Sequence, residues 1–534
     1  FIYYIDADSA QWVEDRPSYG EDTIGDLSIP YIFDTVADYQ ASTIVFPIGK
    51  TVYLKDRQAD FTVIAGTGTG NNKDIIANTT VTQSAKLVIG SSITLTSLGF
   101  IYNSTGQDAT FTRAKELTEN SAIQLDLGEG AVALDNQQTF LTQIKIVGQY
   151  SKGEGVIKTS FKKNVGFSGG SLIQVGDGIT GVQGFHLQGA YIDGNGQAGN
   201  GFSATMFGNM TLRDVQSENN LGTGFDLDGL FISQFYNIGT RGNTGGGLHL
   251  RSDNRDCSDM RIFGLISNRN SSFQVKYSGV NGIKACDIYS PLCELPDNDT
   301  PLFVLETGDR CNFYGGQFAQ QINKNSPCVK FGTASTAVTN CHFFGSYFQH
   351  NPTNTALHAL TFDNAQNIDL HGVFNQGSGK FIDVPSGATN VESIMLLGGN
   401  YIHSEITDPN NVVTTISTDN YKLGDINEDK ILHLRNNNDG KRIDIEVRNS
   451  SGALRALRIG QGIDLDEISF DQFAARTVVH NTTPANPQRG RIEYADGVTW
   501  DPLSTGGAQG GYMVRWAGSA WRGFHETDNG TDLT

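Results

Sequence analysis

A repeat of about 25 residues runs through the middle of the 534-residue sequence and limits its possible folds more than any other feature. The segments GFHLQGAY, NMTLRDVQ, SQFYNIGT, DMRIFGLI, ACDIYSPL, RCNFYGGQ, NCHFFGSY, NIDLHGVF and SIMLLGGN align on Leu187, Leu212, Phe235, Ile262, Ile288, Phe313, Phe343, Leu370 and Leu396. Successive anchors are 25, 23, 27, 26, 25, 30, 27 and 26 residues apart. Each segment alternates apolar and polar residues with period 2, which excludes a helical repeat.

Three columns of the alignment carry physical meaning. Two residues before the anchors stand Phe185, Met210, Ser233, Met260, Cys286, Cys311, Cys341, Ile368 and Ile394, expected to point inward beside them. Between these columns lies a largely polar, outward one: His186, Thr211, Gln234, Arg261, Asp287, Asn312, His342, Asp369 and Met395. Two residues after the anchors come Gly189, Asp214, Asn237, Gly264, Ser290, Gly315, Gly345, Gly372 and Gly398. Gly, Asn and Asp tolerate a left-handed backbone, so this column predicts the same turn in every repeat. A second strand column follows in GFSAT, GFDLDG, GLHLRS and SSFQVKYSG, beginning at Phe202, Phe225, Leu248 and Phe273. One strand per face in each repeat is the pattern of an all-β, single-stranded parallel β-helix, right-handed by the chirality of parallel crossovers. Hairpin signals such as Asn195–Gly196 and Asp228–Gly229 are too sparse for a jelly roll or propeller.

Composition agrees with many short strands and turns: 63 Gly, 13 Pro and only 18% charged residues. A net charge of -19 argues against a nucleic-acid partner, so a polyanionic ligand would need a local basic patch. No stretch approaches the roughly 20 apolar residues of a membrane span, so no membrane partner is expected. The opening FIYYIDADSA lacks an initiator Met and a basic signal-peptide start, and is expected to be a processed or truncated end. Cys286, Cys311 and Cys341 lie in the inward column, so core thiols are expected in preference to disulfides. No CxxC or HExxH occurs, and neither metal nor cofactor is expected. The match Gly166-Phe-Ser168-Gly-Gly170 to a hydrolase elbow precedes a strand-like SLIQV, and is read as chance.

Three modules are expected: an N-terminal cap at 1–125, a β-helix at 126–410 and a β-rich trimerisation region at 411–534. FDTVADYQAST and PIGKTVYLKDRQADFTVIAG, within 33–66, resemble a short module that precedes the β-helix in many bacteriophage tailspikes and capsule depolymerases. RIEYADGVTWDPLSTGGAQGGYMVRWAGSAWRGF resembles the closing strands of phage fibres and spikes, where Trp500, Trp516 and Trp521 would be buried across a trimer axis. The whole pattern resembles coliphage tailspikes that cleave glycosaminoglycan-like capsule by β-elimination. That resemblance implies a pectate-lyase-like solenoid, a homotrimer on the virion tail or baseplate, and an acidic bacterial surface polysaccharide as partner. It carries no catalytic motif residue by residue.

Stacked coils bring residues of one column about 4.8 Å apart, so functional groups converge by stacking. One outward column of the second strand reads Ser203, Asp226, His249, Gln274, and the next Thr205, Asp228, Arg251, Lys276. Six residues after the first anchors come Asp193, Glu218, Arg241 and Asn268. Uronate β-elimination needs cations for the sugar carboxylate (Arg251, Lys276), a base (His249) and an acid (Tyr277 or protonated His249), with Arg241 and Asp193 as further substrate contacts. Glycoside hydrolysis instead needs two carboxyls, for which Asp226 or Asp228 with Glu218 are the candidates. A third reading is a non-enzymatic receptor-binding spike, and opposite charges in one column also simply satisfy a solenoid's surface. The column Tyr236, Phe263, Tyr289, Tyr314 and Phe344 is read first as a contact with a neighbouring subunit, then as a sugar-stacking surface.

Overall fold

The computed structural model describes residues 30–416, apart from 67–69, 152–155, 180, 321–323, 350–357, 377–379, 389, 401–405 and 410–411, together with four short strands near the C-terminus. The chain divides into two compact units, one comprising 1–423 with 431–435 and the other the remainder.

A single 31-stranded sheet begins at Ser92–Thr94 and ends at Val413–Ile416, and its strands pair in parallel between successive coils. Leu212 stands over Phe235, Phe235 over Ile262 and Ile288 over Phe313. All nine anchors are buried. Every residue of the turn column, from Gly189 to Gly398, has a positive φ, including the non-glycines Asp214, Asn237 and Ser290. The parallel β-helix follows from these two facts. An inward anchor is followed two residues later by a left-handed corner that sends the chain onto the next face.

A row of amides lines the corner between the next two strands. Asn220, Asn243 and Asn270 are fully buried, each preceded by a left-handed residue, namely Asn219, Gly242 or Arg269. Asn243 Oδ1 accepts from the Asn220 backbone N–H (3.1 Å) and from its Nδ2 (2.9 Å). Asn243 Nδ2 donates to the Ser217 carbonyl and to Asn270 Oδ1, both at 3.0 Å. Buried turns expose backbone groups to an apolar interior, and the amide side chains satisfy them coil by coil.

At the N-terminal end, Tyr31–Phe33, Thr51–Leu54, Ala59–Ala65, Ile75–Ala77 and Gln83–Leu87 form a separate five-stranded sheet. The helix Val36–Ala41 beside it starts with a capping box between Thr35 and Asp38. The helix Asp108–Thr118 buries Phe111 edge-on against Phe140 and Phe161, at 6.5 and 5.7 Å. Arg113 ties this helix to the small sheet through Asp74, 2.7 Å away.

All six cysteines are buried free thiols, among them Cys286, Cys311 and Cys341 of the inward column. Native protein is therefore expected to leave an aromatic disulfide reagent unreacted, and denatured protein to release six thiols per chain. A thiol reactive before unfolding would contradict this packing.

In the second unit, Val479–His480, Ile492–Ala495, Tyr512–Trp516 and Trp521–Gly523 form a four-stranded sheet, with Trp516 opposite Trp521 in register. Trp500, the segment 431–460 and residues 1–29 lie outside the described residues.

Candidate functional site

The strands Asn200–Thr205, Thr223–Asp228, Gly246–Arg251, Val275–Ser278 and Phe303–Leu305 stack on one flank of the solenoid. Ser203, Asp226 and His249 stand in register in one column, and Thr205, Asp228 and Arg251 in the next, as the spacing predicts. One coil later the observed register differs from the expected one by two residues. Lys276, not Gln274, stands over His249, and Ser278, not Lys276, stands over Arg251. Period-2 alternation fixes which residues face outward but does not distinguish shifts of two. The 27-residue step from Phe235 to Ile262 holds through the whole coil, since Arg241 pairs with Asn268 and Leu248 with Val275. Phe273 instead lies over Gly246, where an added Cβ would come within 2.4 Å of its ring. Gln274 is buried, and its Oε1 accepts from Asn270 Nδ2 at 2.7 Å.

Tyr277 is not part of the site, because alternation turns it inward with Val275 in either register. Its ring is buried among Phe303, Phe313 and the cysteine column, its hydroxyl has no hydrogen-bond partner, and burial pushes its pKa well above the ordinary value. It is shut off from solvent.

The groups that do converge form a compact array. Arg251 grips Asp226 through two bonds, Nε to Oδ1 at 2.8 Å and Nη2 to Oδ2 at 3.0 Å. The third nitrogen of Arg251, Nη1, reaches Asp253 at 2.9 Å. His249 Nδ1 lies 3.5 Å from Asp226 Oδ1, while Nε2 lies 2.7 Å from Ser278 Oγ. Phe273 stands edge-on to the imidazole at 5.4 Å, and Lys276 pairs with Glu306 at 2.7 Å. Burial, then the charges of Lys276 and Arg251, lower the His249 pKa to about 3. The approach to Asp226 is thus that of a neutral imidazole and not an ion pair, because burial between two cations outweighs one carboxylate already held by Arg251.

Acidification should therefore cost stability. Between pH 6.5 and 3 an unfolded chain takes up a proton that folded His249 refuses, so its contribution is complete above 6.5 and lost on descent. Melting temperatures across that window are expected to fall more steeply for the wild type than for His249→Ala. Parallel curves would contradict the assignment.

Asp228 is fully buried and accepts from the backbone N–H groups of Asp253 (3.0 Å) and Asn254 (3.3 Å). It shapes the loop that presents Asp253 instead of facing outward. Asp193, Glu218 and Arg241 stack in register one strand earlier, across the asparagine corner. Tyr191 donates to Glu218 at 2.5 Å, and Lys162 lies 3.9 Å from Asp193. Burial and then Glu218 raise the Tyr191 pKa above its ordinary value. Among the described residues no hydrogen bond joins this group to Asp226 or His249. Sequence reasoning did not single out Asp253, Ser278, Glu306 or Tyr191. Carrying the 27-residue step onward would have placed Ser278 in the Arg251 row.

A cavity of about 570 Å³ lies elsewhere, near Gln58, Thr96, Tyr102 and Glu129, and its lining holds one carboxylate and no histidine.

The outward aromatic column is continuous. Tyr236, Phe263, Tyr289, Tyr314, Phe344 and His371 stack with centroids 4.6 to 5.1 Å apart, and Arg213 covers the free face of Tyr236 at 4.9 Å. From Tyr236 to Phe344 each ring face is covered by a neighbour. Sugar stacking needs a free face, which this column does not offer.

No protein-family model and no curated protein sequence matches the chain. Solved structures do. The tailspike of Acinetobacter phage vB_ApiP_P1 is similar over 86% of this chain and 80% of its own, at 11% identity and a TM-score of 0.52. The gp42 tailspike of Acinetobacter phage vb_AbaP_AS12 is 11% identical over 92% of this chain and 87% of its own, with a TM-score of 0.49. Together with the strand register, the first of these likenesses shows that the chain shares its fold with a phage tailspike.

Proposed function

We propose that the chain is a phage tailspike depolymerase that binds acidic bacterial capsular polysaccharide and cleaves it internally by β-elimination on the His249 flank. The observation that carries this reading is the convergence of His249 with two cations, Lys276 standing over it in the next coil and Arg251 following two residues later on the same strand. Lys276 and Arg251 would take the uronate carboxylate, exchanging part of their pairing with Glu306 and Asp253, which makes the neighbouring C5–H more acidic. His249 Nε2, on giving up its contact with Ser278 Oγ, would accept the C5 proton. The electron pair forms C4=C5, the C4–O bond breaks, and the departing oxygen takes the proton back from His249. Asp226 orients the ring from Nδ1 and is itself oriented by Arg251. Tyr277 has no part in the step.

Hydrolysis stands second. Asp226 is chelated by Arg251 and Asp228 is buried against a loop, so neither is free to pair with Glu218. What favours a hydrolytic reading is Asp193 directly beside Glu218 in the adjacent coil, about one strand spacing away. Incubation with a panel of capsules separates the chemistries. A rise in unsaturated-uronate absorbance with reducing ends supports elimination. Reducing ends alone would replace it with hydrolysis, and binding without either would leave a receptor-binding spike.

A further inference from the structure

We infer that His342, Asp369 and His371 form a binding site for a divalent first-row transition metal of the zinc class. It lies on the first outward strand column, on a different face of each coil from the His249 flank. His342 and Asp369 are in register on adjacent coils, and His371 follows two residues later on the same face. Both imidazoles aim at one oxygen: His342 Nδ1 is 2.9 Å from Asp369 Oδ2, and His371 Nε2 is 3.8 Å from the same atom. The three donor atoms lie within 4.8 Å of one another, and among the described residues no other such group of three is present.

A surface ion pair is complete with one histidine per carboxylate, whereas two imidazole nitrogens directed at one carboxylate oxygen make the donor set of a metal site. Bond lengths of about 2.0–2.2 Å place donors about 3–3.5 Å apart, so small side-chain rotations close the site. Imidazole and carboxylate donors suit zinc, nickel or copper in preference to magnesium or calcium. The His371 ring is already held, stacked on Phe344 at 4.6 Å with 16° between the planes. All three side chains are partly exposed, which leaves open positions for water and a route of entry. The bound ion would clip two coils together from outside.

Because ligands 27 residues apart come from different coils, no short motif reveals the site. Its test is independent of catalysis. Zinc is titrated into chelator-treated full-length protein by calorimetry, with melting temperature followed in parallel and cobalt used as a spectroscopic probe. The expected result is one zinc per chain, a higher melting temperature, and a cobalt visible band that zinc abolishes. His371→Phe continues the ring stack while deleting a donor, and Asp369→Asn keeps the side chain's shape. Both should lose zinc binding and the cobalt band while melting like metal-free wild type. Absence of binding at millimolar zinc, or undiminished binding in His371→Phe, would overturn the site.

Discussion

His249→Ala is expected to lower depolymerisation by about 10²–10⁴-fold, the usual contribution of a positioned acid–base group. Lys276 stands over the ring and Arg251 follows it two residues later, so its loss removes the proton acceptor while both cations remain. It sits on the outer surface of the solenoid, so the coils should stay folded at neutral pH. Initial rates of unsaturated-product formation, compared at equal concentrations of folded protein, check this. Activity within a few-fold of wild type would remove His249 from the chemistry. Conversely, a loss accompanied by unfolding would reassign the residue to stability.

Asn243→Ala should produce the largest loss of stability from a single site. The amide is fully buried and its oxygen and nitrogen bridge Asn220, Ser217 and Asn270. Truncation leaves the Asn220 backbone N–H, the Ser217 carbonyl and Asn270 Oδ1 short of partners. At about 1–3 kcal/mol for each buried group left unsatisfied, a cost of roughly 3–5 kcal/mol is expected after partial relaxation. Chemical denaturation of the variant measures it. A cost below about 1 kcal/mol would show that the ladder is not what satisfies the corner. The neighbouring glycines sharpen the point, because a Cβ at Gly224 would press on Asn243 Nδ2 from 2.8 Å.

The solenoid was legible because each coil repeats the same two decisions. Buried anchors such as Phe235 and left-handed corners such as Asn237 recur together, and each makes physical sense only with the other. Asp226, His249 and Arg251 were legible for the same reason. The misplacement of Phe273 shows where alternation fails, since a shift of two residues keeps every apolar side chain facing inward. The asparagine ladder carried a readable signal that went unused: Asn220, Asn243 and Asn270 repeat with steps of 23 and 27, as do Leu212, Phe235 and Ile262. The burial of Asp228 was not legible. It depends on the path of the loop at Asp253 and Asn254, which belongs to no repeating column.

A structure of His249→Ala with a bound fragment of the cleaved polysaccharide tests the central claim most directly. The account predicts a uronate carboxylate within ion-pairing distance of Lys276 or Arg251, with its C5–H directed at the space the imidazole leaves. A fragment seated over Asp193, Glu218 and Arg241, or on another face, would contradict it.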